Sequence, residues 1–136
     1  MKWKKVIAAG IAAGIVILLV GNLTGFLFYS DYSATPQLWK PMTGNWYYNM
    51  VILDIFEGML YAMVFSLFYS SIPGRGWRKG VNFGFVLWLI ATVPGMLMTY
   101  FTMAVPDSIV MSWLFGGLVS LLIAGPVIAV VHDRIK

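Results

Sequence analysis

The sequence predicts an all-α membrane protein with four transmembrane helices in an up-down bundle. Of its 136 residues, 60% are hydrophobic and only 10% are charged, with a mean hydropathy of +0.84. A soluble domain would carry about a quarter charged residues. The apolar residues form four runs, each near the ~20 residues that a helix needs to cross a bilayer. The basic residues lie mainly at the ends of these runs.

The first predicted span covers about 6–28 and follows a short basic stretch that contains Lys2, Lys4 and Lys5. Its apolar run is longer than the roughly 7–15 residues of a secretory signal core, and no clear cleavage site ends it. We therefore expect a retained transmembrane helix. Two pairs of glycines have the small-xxx-small spacing that is typical of close helix packing: Gly10/Gly14 and Gly21/Gly25.

The outer loop, 29–46, is rich in tyrosine and tryptophan and is broken by Pro36 and Pro41. Such aromatic side chains favour the headgroup level, so we expect the loop to lie along the membrane surface as an anchoring belt. A lid over a binding site is the alternative. The second predicted span follows at about 47–70.

The inner loop, 71–80, is broken by Pro73 and three glycines and carries Arg75, Arg78 and Lys79. Its glycine spacing fits neither nucleotide-binding motif, and no β-strand precedes it. We expect its basic side chains to face anionic lipid headgroups instead.

The third predicted span, about 81–104, is interrupted by Pro94, which cannot donate a helical hydrogen bond and therefore predicts a kink. The fourth span covers about 108–131, and Asp107 or Ser108 is placed to cap its first turn. This span has small residues at every fourth position, a pattern typical of a helix-contact face: Ser112, Gly116, Ser120 and Ala124.

The distribution of positive charge predicts an orientation. With the amino terminus inside the cell, four spans place eight of the nine Lys and Arg residues on the cytoplasmic side and only Lys40 outside. This agrees with the positive-inside bias and accounts for the net charge of +4 without a nucleic-acid partner. We expect one transmembrane domain, 1–136, in a prokaryotic inner or plasma membrane, with both termini cytoplasmic.

Small four-helix integral membrane proteins of prokaryotes resemble this chain in two stretches, LFYSSIPGRGWRKGVNFG and VPGMLMTYFTMAVPDSIVMSWLFGG. The resemblance covers most of the chain and implies the same architecture. It implies no activity and no site residues. The absence of cysteine and the single histidine argue against a metal site or a redox cofactor, so none is expected.

Asp54 and Glu57 form the candidate site, because a carboxylate inside a membrane helix costs about 2.5–3.5 kcal/mol and is usually functional. With a rise of about 1.5 Å per residue, Asp54 lies roughly 10 Å and Glu57 roughly 15 Å below the outer surface. Polar or broken positions of the other spans reach a similar depth, namely Asn22, Pro94 and Gly116. No Lys, Arg or His side chain is expected there.

We expect ion or ligand binding by six side chains: Asn22, Asp54, Glu57, Tyr61, Thr92 and Thr99. Three arrangements of the acids stay open. In the first, both acids are protonated and share hydrogen bonds with Tyr61 or Asn22. Alternatively, they bind a cation together with the two threonines and the Ile90 carbonyl that Pro94 frees. In the third arrangement, they line a water-filled vestibule that opens to the outside, with Asn49 at its rim.

From these features we expect a small transporter or channel-like protein in which Asp54 and Glu57 bind a proton, a monovalent cation or a small amphiphile. The alternative is a structural or accessory membrane subunit in which the acids are a packing clasp. An enzyme is the least supported class, because no acid on another helix and no nucleophile with a base accompanies the pair. His132 is expected to be solvated at a helix end.

Four spans enclose little space, so we also expect a homo-oligomer in contact with the bilayer and its anionic headgroups. The small-residue faces at Gly10/Gly14 and at Ser112 to Ala124 are the candidate contacts between copies.

Overall fold

The computed structural model of the protein describes residues 2–135, which are mostly helical and contain no β-strand. Four helices within this range are long and apolar enough to cross a membrane: Trp3–Leu27, Gly44–Leu67, Trp77–Thr102 and Asp107–Arg134. The predicted all-helical fold and its four long helices are therefore confirmed. Each helix begins before the apolar run that predicted it, because its polar first turn is already helical.

The described residues form six α-helices, because a wide turn divides the third long helix and a short helix follows the first. We name them α1 (Trp3–Leu27), α2 (Tyr29–Ser33), α3 (Gly44–Leu67), α4 (Trp77–Leu87), α5 (Val93–Thr102) and α6 (Asp107–Arg134). A 3₁₀ turn, Pro36–Leu38, precedes α3, and a π-helical turn, Trp88–Thr92, joins α4 to α5.

The long helices pack in the spatial order α3, α1, α6, α4. Neighbouring helices are antiparallel, since Thr24 near the end of α1 lies beside Gly116 near the start of α6. We call the end with Lys5, the 68–76 loop and His132 the basic end. The end with α2 and the 103–106 turn is the loop end.

Glycines bring α1 and α3 into backbone contact. A Cβ atom added to Gly58 would lie 2.8 Å from the Cα of Gly14, and one added to Gly10 would lie 2.6 Å from the Cα of Met59. Such distances leave no room for a methyl group, so Gly10 and Gly14 form a packing face as their spacing indicates. The second glycine pair of α1 does not pack, because an added Cβ would meet nothing within 4 Å at either position: Gly21 and Gly25.

A second glycine contact joins α4 to α6. A Cβ atom added to Gly125 would lie 3.0 Å from the carbonyl carbon of Gly80, and Gly84 lies against the backbone of Leu121. On the predicted small-residue face of α6, Ser112, Ser120 and Ala124 are buried within the chain. The two faces expected to join copies of the protein are therefore covered by its own helices.

The third long helix bends away from α6 at its middle. Pro94 lies in the first turn of α5, directly after the π-helical turn, and has no N–H to continue the helical ladder. Before the turn, α4 packs along α6; after it, α5 touches α6 at few positions. The structure thus has the predicted break, and the bend leaves space between α5 and α6.

At the loop end, α2 is attached to the start of α6. The Ser108 hydroxyl donates to the Asp31 carboxylate at 2.7 Å, and the Trp113 indole N–H donates to the Tyr32 hydroxyl at 2.6 Å. Trp39 packs edge-on against Trp113, with ring centroids 6.1 Å apart. The expected capping of α6 is wrong, because no side chain caps its first turn and Ser108 binds the loop instead.

A polar cluster in which Lys79 and His132 are buried lies at the basic end. The ammonium group of Lys79 donates to the Tyr69 carbonyl at 2.6 Å and lies 3.9 Å from the centre of the Tyr69 ring. The Tyr69 hydroxyl donates to Asp133 at 2.7 Å, and this bond raises the pKa of Tyr69. His132 stacks on Tyr69 and is only 8% exposed. Two expectations were therefore wrong: His132 is not solvated, and Lys79, at 9% exposure, does not face headgroups.

Candidate functional site

A cavity of about 280 Å³ lies between the long helices in the half nearer the loop end. Residues of α1, α2, α3, α6 and the π-helical turn line it. Its walls are partly apolar, with Ile17, Val20 and Leu121 among them. The lining side chains that can form hydrogen bonds are Thr24, Tyr32, Glu57, Tyr61, Thr92, Trp113 and Ser120.

Two adjacent glycines of α6 leave room in the cavity wall for threonines of other helices. A Cβ atom added to Gly116 would lie 3.0 Å from the Thr24 hydroxyl oxygen. One added to Gly117 would lie 3.0 Å from the Thr92 methyl carbon. The glycines therefore admit both threonines to the cavity wall. The bend before Pro94 carries α5 away from the same region.

Glu57 and Tyr61 are one helical turn apart on α3 and both line the cavity. The Tyr61 hydroxyl donates a hydrogen bond to Oε1 of Glu57. This bond orients the carboxyl group and leaves its second oxygen, Oε2, to accept a proton or a ligand. Glu57 is the one acidic residue in the lining, which includes no Lys, Arg or His.

The structure brings three of the six predicted site residues together, namely Glu57, Tyr61 and Thr92. The other three do not line the cavity. The Asn22 amide donates to the Leu18 carbonyl at 2.7 Å.

The Thr99 hydroxyl likewise donates to a carbonyl of its own helix, that of Gly95, at 3.0 Å. Asp54 is half-buried and lies one turn before Glu57, roughly 10 Å from Tyr61 along the helix axis. In the described structure, therefore, the two acids do not share one cavity.

Sequence reasoning did not assign four of the seven hydrogen-bonding lining residues to the site. Ser120 was identified only as part of the small-residue face of α6, although a hydroxyl on such a face can also line a cavity. Trp113 follows Ser112 of that face directly, but nothing in its spacing indicates that it lies beside Glu57. Thr24 was noted only as a polar residue near the end of the first span. Tyr32 reaches the site because α2 folds onto α6, a tertiary contact that no local pattern predicts.

A second cavity, of about 310 Å³, lies between α3 and α4 near the basic end. Its lining is almost wholly apolar, with residues such as Val64, Phe83 and Leu87. It offers no charged side chain and so carries no chemistry comparable with that of the first cavity. Residues 2–135 also contain no group of three or more His, Asp or Glu side chains that could hold a metal ion.

No protein-family model, curated protein or solved structure matches this chain.

Proposed function

We propose that the protein is a small transporter or channel-like protein of the cell membrane that binds a proton or a cation at Glu57. The observation that carries this proposal is the charge of the cavity. It contains one carboxyl group and no basic side chain among its lining residues. An ionised carboxylate in such a place needs a positive partner, because an uncompensated charge away from water is costly.

The Tyr61 hydroxyl supports proton or cation binding at Glu57 but does not balance the charge of the carboxylate. A hydroxyl donor stabilises a carboxylate by a charge-assisted hydrogen bond but does not neutralise it. A proton or a cation at Oε2 of Glu57 would supply the missing charge. Exchange between the two at one carboxyl group is the simplest basis for coupled transport.

The bond between Glu57 and Tyr61 also argues against the packing clasp. A clasp must join two helices, whereas both residues of this pair lie on α3. Helix contact is provided elsewhere, by glycines such as Gly14 and Gly58. These contacts favour a role for Glu57 other than holding the bundle together.

For the orientation we propose cytoplasmic termini, with the basic end inside. The basic end carries Lys5, Arg75 and Arg134, while Lys40 belongs to the connection at the loop end. The Glu57 cavity then lies nearer the outer surface.

Reconstituted vesicles test the proposed function. Protein is incorporated into vesicles that contain a pH-sensitive dye, and gradients of Na⁺, K⁺, tetramethylammonium and choline are imposed one at a time. We expect at least one cation to drive proton movement in the wild type and in Asp54→Asn. Glu57→Gln should abolish it. Wild-type vesicles that respond to none of the four cations, or an unchanged response in Glu57→Gln, would overturn the proposal.

A further inference from the structure

We infer that the cation of this cavity is a small organic monocation, a substituted ammonium held between Glu57 and the aromatic side chains of Tyr32 and Trp113. This inference rests on the proposed cation binding at Glu57. Three properties of the cavity carry it: its volume, its oxygen ligands and its aromatic lining.

The volume of the cavity exceeds what an inorganic ion requires. About 280 Å³ lies close to the lower limit of the ~300–1,000 Å³ that small-molecule sites occupy. A bare sodium or potassium ion would leave most of this space empty, and a proton needs none of it. A small organic cation would occupy the space and contact the apolar wall at Ile17, Val20 and Leu121.

The lining has a single carboxylate, which makes it a poor site for a dehydrated divalent metal ion. Calcium takes about six to eight oxygen ligands, and magnesium needs a near-ideal octahedron. The cavity has one carboxylate, and Tyr61 already occupies one of its oxygens. The remaining oxygens are mainly hydroxyls of Thr24, Thr92 and Ser120. A substituted ammonium is far less demanding, because its methyl groups need contact and not coordination.

The aromatic side chains supply the second half of an ammonium site. Tyr32, Tyr61 and Trp113 all line the cavity. Trp113 is held in place by its hydrogen bond to Tyr32 and by the edge-on packing of Trp39. Aromatic rings attract organic cations through their electron-rich faces, and tryptophan does so most strongly. A single carboxylate balances a single positive charge, so a dication would retain an unbalanced charge.

Binding measurements on purified wild-type protein test this inference without any substitution. Choline is compared with 3,3-dimethyl-1-butanol, which has the same shape but no charge, and with NaCl and KCl at matched ionic strength. We expect saturable quenching or enhancement of tryptophan fluorescence by choline or tetramethylammonium. We expect at least tenfold weaker effects from the neutral analogue and from both salts.

Two variants locate the site. Glu57→Gln should abolish binding of the organic cation. Trp113→Leu should lower the affinity for it about tenfold or more. Trp77→Leu is the matched control, because Trp77 is exposed at the basic end and lines neither cavity. Its affinity should equal that of the wild type.

The outcomes separate this inference from the proposed function. If Na⁺ or K⁺ binds at Glu57 as tightly as choline, or if the neutral analogue binds equally well, the organic-cation inference is overturned and cation binding stands. If no cation binds to the wild type, both are overturned. Because the analogue comparison uses wild-type protein, a Trp113→Leu variant that fails to fold does not prevent the test.

Discussion

The hydroxyl of Tyr61 donates to the carboxylate of Glu57 from one turn further along α3, and both side chains line the same cavity. Tyr61→Phe removes this donor and keeps the ring, so the packing of α3 should persist. Hydrogen bonds to charged groups contribute about 1.5–3 kcal/mol. We expect cation affinity at Glu57 to fall on the order of tenfold, which corresponds to about 1.4 kcal/mol. A fluorescence titration with tetramethylammonium measures the change.

Tyr100→Phe is the control for this prediction, because Tyr100 is 43% exposed on α5 and lines neither cavity. It should bind like the wild type. Equal affinities in Tyr61→Phe and Tyr100→Phe would show that the Tyr61 hydroxyl does not orient the carboxylate.

Gly58 sets the separation of α1 and α3. A Cβ at this position would lie 2.8 Å from the Cα of Gly14, so Gly58→Ala must push two backbones apart along their whole contact. Overpacking in a well-packed core typically costs about 1–3 kcal/mol, and here the obstacles are backbone atoms of Gly10 and Gly14. We expect a lower free energy of unfolding by at least about 2 kcal/mol, measured by denaturant titration in detergent.

Gly25→Ala is the matched control on the partner helix, since an added Cβ there meets nothing within 4 Å. Alanine also has the higher helix propensity, so this variant should be neutral or slightly more stable. If both alanine variants unfold alike, the close contact at Gly58 does not contribute to stability as argued.

The four long helices could be predicted because each corresponds to one apolar run of membrane-spanning length. Which helix faces pack together could not be predicted. Gly10/Gly14 and Gly21/Gly25 have identical spacing on α1, yet only the first pair packs on α3. The point at which two helices cross depends on the surfaces of both helices, and the spacing of residues along one helix does not determine it.

The site was predictable to the extent that charge alone indicates it. Glu57 was identified because a carboxylate inside an apolar membrane helix is costly, and Tyr61 because it lies one turn further along the same helix face. Asn22 was identified from its depth and Thr99 as a possible oxygen ligand for a cation. Each side chain, however, bonds to a carbonyl of its own helix four residues earlier. Such local bonding satisfies a polar side chain without any site. Tyr32 reaches the cavity through the contact between α2 and α6, and no local sequence pattern indicates that contact.

Pro94 directly follows the π-helical turn that carries Thr92 to the cavity wall. Pro94→Ala restores a backbone N–H and a good helix former, which favours a straight helix in place of the π-helical turn. Thr92 already lies against Gly117, so straightening would shift its side chain within the cavity wall and change the shape of the cavity. We expect several-fold weaker binding of tetramethylammonium with unchanged or higher thermal stability.

Gly95→Ala tests whether the proline itself is responsible. Gly95 is the next residue, and an added Cβ there meets no atom within 4 Å. Unchanged affinity is expected in this variant. Unaltered affinity in Pro94→Ala as well would mean that the bend does not depend on the proline.

Lys79 stabilises the basic end through two contacts with Tyr69. Its ammonium group donates to the Tyr69 carbonyl at 2.6 Å and lies 3.9 Å from the ring centre. Lys79→Met keeps a side chain of similar length but loses both contacts and leaves the carbonyl without its donor. We expect a loss of about 1–3 kcal/mol in the free energy of unfolding. Arg75→Met removes the same charge from an exposed position in the 68–76 loop just before α4 and should change stability little.

The proposed orientation is tested by two single cysteines, since the chain has none of its own. Lys40 and Arg75 are both exposed and lie in connections at opposite ends of α3. A membrane-impermeant maleimide should label Lys40→Cys in intact cells and Arg75→Cys only after permeabilisation. The positive-inside bias requires this difference, because nearly all basic residues share the end with Arg75. The reverse pattern would place the Glu57 cavity nearer the cytoplasm, and a proton or cation would then enter it from inside the cell.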